Sequence, residues 1–276
     1  MRVVTSACER GGVGKTSVTL AMAEVAAAAG VPTLVVDVDP QGNATRRLLG
    51  ASETDLDEFE FEGPSVLDVL LADGRGTAVD AVTETAASWP EKLYLLPSPG
   101  AELTRFERTT TSAQDRRLAR GLAGVDRQGI ELVLIDTGPS LNLLTQNGMT
   151  AADDILVIAH PLGSRQGVHE TVRSTGVIVE EYDVTVAGLV LVDVEPESSR
   201  SKAIRDALAM WEAEWGDGVL AHLPSSSIWP TAETEGRPLS SYVDDFGRAA
   251  PARRALEATH QLLRRLGVLE SQEVRA

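Results

Sequence analysis

The chain has 276 residues, with 25 basic against 41 acidic side chains and a formal net charge of −16. A hydrophobic content of 43% and a charged content of 24% are those of a globular protein, which excludes disorder and fibrous repeats. The one cysteine, Cys8, excludes a disulfide framework and any four-cysteine metal site within one chain, and it suggests a cytoplasmic setting. No run approaches the ~20 apolar residues of a spanning helix, and no basic leader precedes the first apolar stretch, so neither a membrane span nor a cleaved signal is expected. So acidic a protein gains no long-range attraction to nucleic acid and would need a local basic patch to bind any.

Short β-branched runs alternate with longer amphipathic segments along the chain, the pattern of βα units around a parallel sheet. Residues 2–6 are predicted as the first strand, followed by a helix over 16–29 whose apolar stripe is Val18, Met22, Val25 and Ala29. Further strands are predicted at 33–39, 92–96, 131–136, 154–159 and 184–192. Runs such as Ile155-Leu156-Val157-Ile158 suit strands covered on both faces. Ile204, Leu208, Trp211 and Trp215 fall on one helical stripe and read as core. Cys8 reads as a small buried residue. The acidic stretch from Glu53 to Glu62 reads as a solvated loop, and a last helix over about 251–266 is expected to pack on the rest. With no repeat and no linker, residues 1–276 read as one α/β domain: a mostly parallel twisted sheet with helices on both faces.

The informative segment is Cys8-Glu9-Arg10-Gly11-Gly12-Val13-Gly14-Lys15-Thr16-Ser17, which follows a predicted strand and opens a predicted helix. Glycines at 11, 12 and 14 let the backbone curl with its N–H groups inward. Those donors, with Val13 and the start of the helix, form a nest for a polyphosphate. Lys15 is placed to reach the outer phosphates, the Thr16 hydroxyl to help hold Mg²⁺, and Ser17 to complete the cradle. Asp136 closes the apolar run Leu132-Val133-Leu134-Ile135, so its carboxylate should emerge at the sheet edge where α/β proteins bind ligands, in reach of Mg²⁺ through water. Asp37 and Asp39 lie two apart at a strand end, and alternation would set them on one face.

The GxxxxGK[ST] pattern fails at its first glycine, which is Glu9 here; instead a basic residue directly precedes Gly-Gly-x-Gly-Lys-Thr. With that variant, the segment Asp37-Val38-Asp39-Pro40-Gln41-Gly42-Asn43-Ala44-Thr45 and the segment Ile135-Asp136-Thr137-Gly138-Pro139-Ser140, the chain resembles the ParA/MinD family of deviant Walker P-loop NTPases, its ParA/Soj partition branch in particular. Weaker likeness runs through Gly188-Leu189-Val190, the Leu223-Pro224 turn and Gly236-Arg237-Pro238-Leu239, so it covers nearly the whole chain.

The resemblance implies an ATP- and Mg²⁺-dependent switch that forms a homodimer around two nucleotides, resets by slow hydrolysis to ADP and phosphate, binds DNA non-specifically in the ATP state and answers to a ParB-like DNA-bound partner. It assigns Asp39 to the attacking water, Asp37 to the metal surroundings and Pro224 to the adenine pocket. It also gives position 10 the role of crossing to the partner's phosphates. The usual residue there is lysine; Arg10 keeps the charge with a bulkier fork, and a surface ion pair with Glu9 is the competing reading. Gly138 stands where the family has proline, which loosens that loop. The family's basic turn after Pro224 has become Ser225-Ser226-Ser227, leaving Arg200, Lys202, Arg205, Arg237, Arg248, Arg253, Arg254, Arg264 and Arg265 as DNA-contact candidates. Two other readings stay open: a MinD-like or orphan ParA-like positioning ATPase for a membrane or protein cargo, and a metabolic P-loop enzyme such as an ATP-dependent ligase. The last helix lacks aromatic residues and ends in a polar tail, which argues against a membrane anchor.

Overall fold

A computed structural model of the protein describes residues 1–8, 11–51, 61–109, 115–197 and 200–270. Glu9 and Arg10, most of the acidic stretch 53–62 and the tail beyond residue 270 therefore lie outside the described residues.

Among the described residues, eight strands form one sheet: β1 (Arg2–Ala7), β2 (Thr33–Asp37), β3 (Thr83–Glu84), β4 (Leu93–Leu96), β5 (Leu132–Asp136), β6 (Asp154–Ala159), β7 (Thr185–Val194) and β8 (Val219–Pro224). Their spatial order is β3-β4-β2-β5-β1-β6-β7-β8, parallel throughout except for the antiparallel β3–β4 pair. The six predicted strands are present, 154–159 with the predicted bounds and the other five with boundaries shifted by one or two residues. β3 and β8 were not anticipated. β3 is two residues long and carries no readable alternation. Leu223 and Pro224, read as a turn from the sequence, are instead the end of β8.

The central strands show why nearly every residue in them is apolar. Val4, Val35, Leu132 and Leu134 belong to one buried cluster, while Val3, Leu34, Val36, Val133 and Ile135 belong to another on the opposite face. Period-two alternation thus feeds two cores at once, as strands covered on both sides require. α1 (Lys15–Ala28) and α10 (Ala249–Arg265) cover the first face; α3 (Val66–Ala72), α4 (Ala101–Thr109), α5 (Arg117–Gly121) and α6 (Leu143–Thr150) cover the second. On that second side, α7 (Arg165–Glu181) and α8 (Lys202–Trp215) enclose a third cluster with Val157, Leu189, Leu191 and the fully buried Trp211.

The single apolar stripe expected on α1 is corrected. All residues from Ser17 to Ala27 are buried, and Ala29, taken as part of the stripe, is exposed. α1 is clamped between the sheet and an outer layer of α9 (Ile228–Glu235) and α10, where Ala21 meets Ile228, Tyr242 and Ala252. A helix buried all round needs no amphipathic stripe. Its one acid, Glu24, is 2% exposed and accepts the backbone N–H groups of Leu239 and Ser240 at 2.8 and 2.7 Å. Burial holds its carboxyl above the usual value.

The apolar face of α10, with Leu262 and Leu263 fully buried, packs on β8 and α1. Among the described residues no helix is long and apolar enough to cross a membrane. Cys8, read as a buried residue, is half-buried.

Candidate functional site

The chain reverses its direction of growth across the sheet at β1, which lies between β5 and β6. Loops following the two sides diverge there and open a crevice at the carboxyl ends of the strands. Into it project the loop after β1, the ends of β2 and β5, and the short helix α2 (Asn43–Leu48).

The loop turns into α1 through glycines that a side chain would not serve. Gly12 has φ +74° and Gly14 φ +95°, both left-handed, and Gly14 directly precedes the helix. Among the described residues no side chain caps α1, which leaves its first N–H groups at the crevice without a capping residue. Lys15 is 7% exposed, its stem buried at the helix start.

Behind the loop stands a group of carboxylates. Asp37 and Asp136 are register partners at the ends of β2 and β5, both fully buried. Because Val35 and Leu134 point to the α1 side, so do these two acids. Asp136 accepts the Thr16 hydroxyl at 2.8 Å and the Thr19 hydroxyl at 3.5 Å. Burial first, then the facing Asp37, pushes the Asp136 carboxyl up to about 8, against the opposing pull of Thr16 and Lys15. Burial likewise raises Asp37 to about 6, although Thr45 donates to it through both its backbone N–H and its hydroxyl, each at 2.8 Å.

The sequence set Asp37 and Asp39 on one face, and the structure separates their environments. Asp37 spends its oxygens on α2 and on the Asp39 N–H at 3.1 Å. Asp39, just past the strand, lines the cavity and holds the Gln41 N–H at 2.9 Å. Gly138, where the resemblance led one to expect proline, lies beside it: a Cβ there would stand 3.5 Å from Asp39 Oδ1, an ordinary contact.

These elements enclose a cavity of about 410 Å³ lined by Gly11 to Ser17, Asp39, Thr137 and Pro139, and also by Arg46, Arg47 and Glu233. A second cavity of about 420 Å³ continues from it past Gly12, Val13, Gly14, Ser17 and Glu233, and is walled by Val18, Val192, Leu223 and Trp229. The first is rich in N–H donors and charge; the second is mostly apolar, with His160 and Asp193 also on its wall. Pro224 does not line either cavity but fixes a wall of the second, its carbonyl accepting the Trp229 indole N–H at 2.9 Å.

A divalent cation suits this chemistry. Two buried acids held above their ordinary range by burial first and then by neighbouring carboxylates are relieved as anions by a nearby positive charge. Among the described residues no three acidic, histidine or cysteine side chains converge as a metal cage. Such an ion would therefore take most of its ligands from water and phosphate, as Mg²⁺ does.

Sequence reasoning missed Arg46, Arg47 and Glu233. The two arginines directly follow the Asn43-Ala44-Thr45 end of a recognised segment, and that adjacency was the available signal. Glu233 had none, being 216 residues from Ser17, whose hydroxyl it accepts.

The arginines proposed for DNA are largely engaged within the protein. Arg237 and Arg248 pair with Glu235 at 3.3 Å each and stack on Tyr242. Arg253 pairs with Asp244 at 3.8 Å, and Arg265 donates to the carbonyls of Asp217 and Val219. Arg200 and Arg205 bond backbone carbonyls, those of Glu195 and Arg200.

Residues 1–187 match a protein family described as an AAA domain. The chain is 33% identical over 160 residues to the sporulation initiation inhibitor protein Soj of Bacillus subtilis, a match spanning 56% of this chain and 57% of Soj. It is 30% identical over 249 residues to the chromosome partitioning protein ParA of Caulobacter vibrioides, covering 88% of this chain and 87% of ParA. Among solved structures, an ATP complex of a Cyanothece McdA variant superposes with a TM-score of 0.78 at 20% identity over 99% of both chains, a likeness of fold. Cobyrinic acid a,c-diamide synthase from Mycobacterium smegmatis, with bound ADP and magnesium, gives 0.72 at 28% identity over 97% of this chain and 96% of that one. A glycine nest at the head of α1, acids at the ends of β2 and β5 and a likeness to ParA along most of both chains lead to one assignment: the chain belongs to the ParA/Soj family of P-loop ATPases.

Proposed function

We propose that this chain is an ATP- and Mg²⁺-dependent switch that dimerises around nucleotide and hydrolyses it slowly to ADP and phosphate in the service of DNA partition. The observation that carries the reading is the Thr16–Asp136 hydrogen bond at 2.8 Å, which couples the phosphate nest to the acids of the sheet edge. In P-loop proteins the Ser/Thr after the lysine and a strand-end Asp hold the metal between them.

In this reading Gly11, Gly12, Val13 and Gly14 surround the outer phosphates with backbone N–H groups, and Lys15 neutralises them from the helix head. Thr16 and Asp136 would hold Mg²⁺, Asp136 through water, with Asp37 contributing negative charge from behind. Bound there, the ion would absorb charge developing on the phosphoryl group. Asp39, at the mouth of the cavity and steadied by the Gln41 N–H, orients the attacking water. The apolar second cavity takes the base between Leu223, Val192 and Trp229, with Pro224 behind the indole. Arg10 is proposed to reach the phosphates of the partner subunit in the dimer.

The self-paired arginines favour a second reading, in which the same switch positions a protein cargo and DNA is not its track. Phosphate release and DNA retention measured together separate the two. Partition predicts turnover with ATP–Mg²⁺ and DNA binding that needs ATP, falls steeply with salt and is accompanied by stimulation from a ParB-like partner. Turnover without DNA retention at low salt selects the cargo reading. Turnover only with a small acid co-substrate would favour a metabolic enzyme.

A further inference from the structure

Among the described residues, the phosphate cavity holds one buried cation besides Lys15. Arg47, on α2, has a side chain only 10% exposed, yet it lines the cavity. Its Nη1 stands 3.4 Å from Glu233 Oε1, long for a charge-assisted hydrogen bond, and its Nε has no hydrogen-bond partner among the described residues. A guanidinium offers five donors, and here they are poorly matched.

Its platform is rigid. Thr45, two residues before, is tied to Asp37, and the Arg47 carbonyl accepts the Trp89 indole N–H at 3.0 Å. The counter-ion is less well placed. Glu233 lies on α9 with its side chain 42% exposed, lines both cavities and also accepts the Ser17 hydroxyl. It is the acid that stands at the junction between the nest and the apolar cavity. A carboxylate at that junction repels a phosphate, while a neighbouring guanidinium attracts one.

We infer that Arg47 is a phosphate-binding residue contributed from within the same subunit, and that Glu233 is the counter-ion it gives up when a nucleoside polyphosphate enters. The inference rests on the nucleotide-binding reading above. Phosphate oxygens satisfy the fork better than the single long contact to Glu233, because guanidinium and phosphate match bidentately. Arg47 then approaches from α2, while Lys15 approaches from the head of α1.

The test is calorimetric titration of ADP–Mg²⁺ into wild type, Arg47→Met and Glu233→Gln. Arg47→Met should bind about tenfold more weakly, the loss of one charge-assisted contact. Glu233→Gln should bind more tightly, by about threefold or more, since it frees the guanidinium and removes a repelling charge. A pair that only braces α2 against α9 would move both affinities in the same direction. The inference is overturned by wild-type affinity in Arg47→Met, or by equal or weaker binding in Glu233→Gln. If Arg47→Met does not fold, Arg47→Lys, which keeps the charge but not the fork, takes its place: weaker ADP–Mg²⁺ binding than wild type is expected, and unchanged affinity overturns the inference. A wild-type protein that ignores ADP–Mg²⁺ would instead sink the nucleotide reading itself, which the wild-type curve shows independently of either variant.

Discussion

Thr16 and Asp136, separated by 120 residues, meet in a 2.8 Å hydrogen bond where the phosphate loop touches the end of β5. On the proposed reading, this hydroxyl and buried carboxylate would hold a Mg²⁺ bound to phosphates. Replacing Thr16 with Ala should lower apparent Mg²⁺ affinity by about 10–100-fold, the usual loss when a group that supports a metal is removed. Titrating Mg²⁺ at fixed ATP while following phosphate release reads it, and an unchanged midpoint would detach Thr16 from the metal.

Asp39 and Lys15 should fail differently. Asp39→Ala removes the group assigned to the water and should cut turnover by about 10²–10⁴-fold while nucleotide still binds. Lys15→Ala should lose binding as well. Comparing nucleotide affinity with single-turnover rate in each variant separates them, and equal loss of affinity in both would deny Asp39 its separate role.

Glu24 supplies a pH signature remote from the cavity. Its folded value lies above the ordinary 4.5, so between the two values the folded protein binds more protons than the unfolded chain. Its contribution to stability is therefore full below about pH 4.5 and is lost as pH rises through the folded value. Glutamine does not titrate. Urea midpoints of wild type should fall relative to Glu24→Gln as pH is raised from about 4 to about 8, and a constant difference would contradict the shift.

Trp211 is wholly buried, and its indole donates to the Pro161 carbonyl at 2.9 Å. Trp211→Ala should cost about 3–5 kcal/mol in denaturant unfolding, from the cavity and the orphaned carbonyl together. A loss below about 1 kcal/mol would show that the α8 stripe is not core.

Much of this was legible in the sequence because local chemistry dictated it. A glycine curl followed by Lys15-Thr16, and an apolar run ending at Asp136, each need only their own residues to be read. The strand alternation was equally plain. What escaped depends on distant packing. α1 lost its expected stripe because α9 and α10, more than two hundred residues later, cover its outer side. β8 went unread because His222 and Pro224 interrupt its apolar run, although Leu189, Val190 and Leu191 pair with it. Asp37 and Asp39 were read together at a strand end, but the Thr45 contacts that engage Asp37 are made only when α2 folds over β2. Nor could the sequence show that Glu235, Asp244 and Tyr242 contact three of the candidate arginines, Arg237, Arg248 and Arg253.

The central claim is that a curled backbone at the head of α1 grips a triphosphate with help from a divalent ion. Calorimetric titration of ATP with Mg²⁺, and again with excess chelator, tests it most directly. Saturable one-to-one binding that weakens markedly without Mg²⁺ and disappears in Lys15→Ala is the predicted result. Absence of binding at millimolar ATP–Mg²⁺ by correctly folded wild-type protein would contradict it.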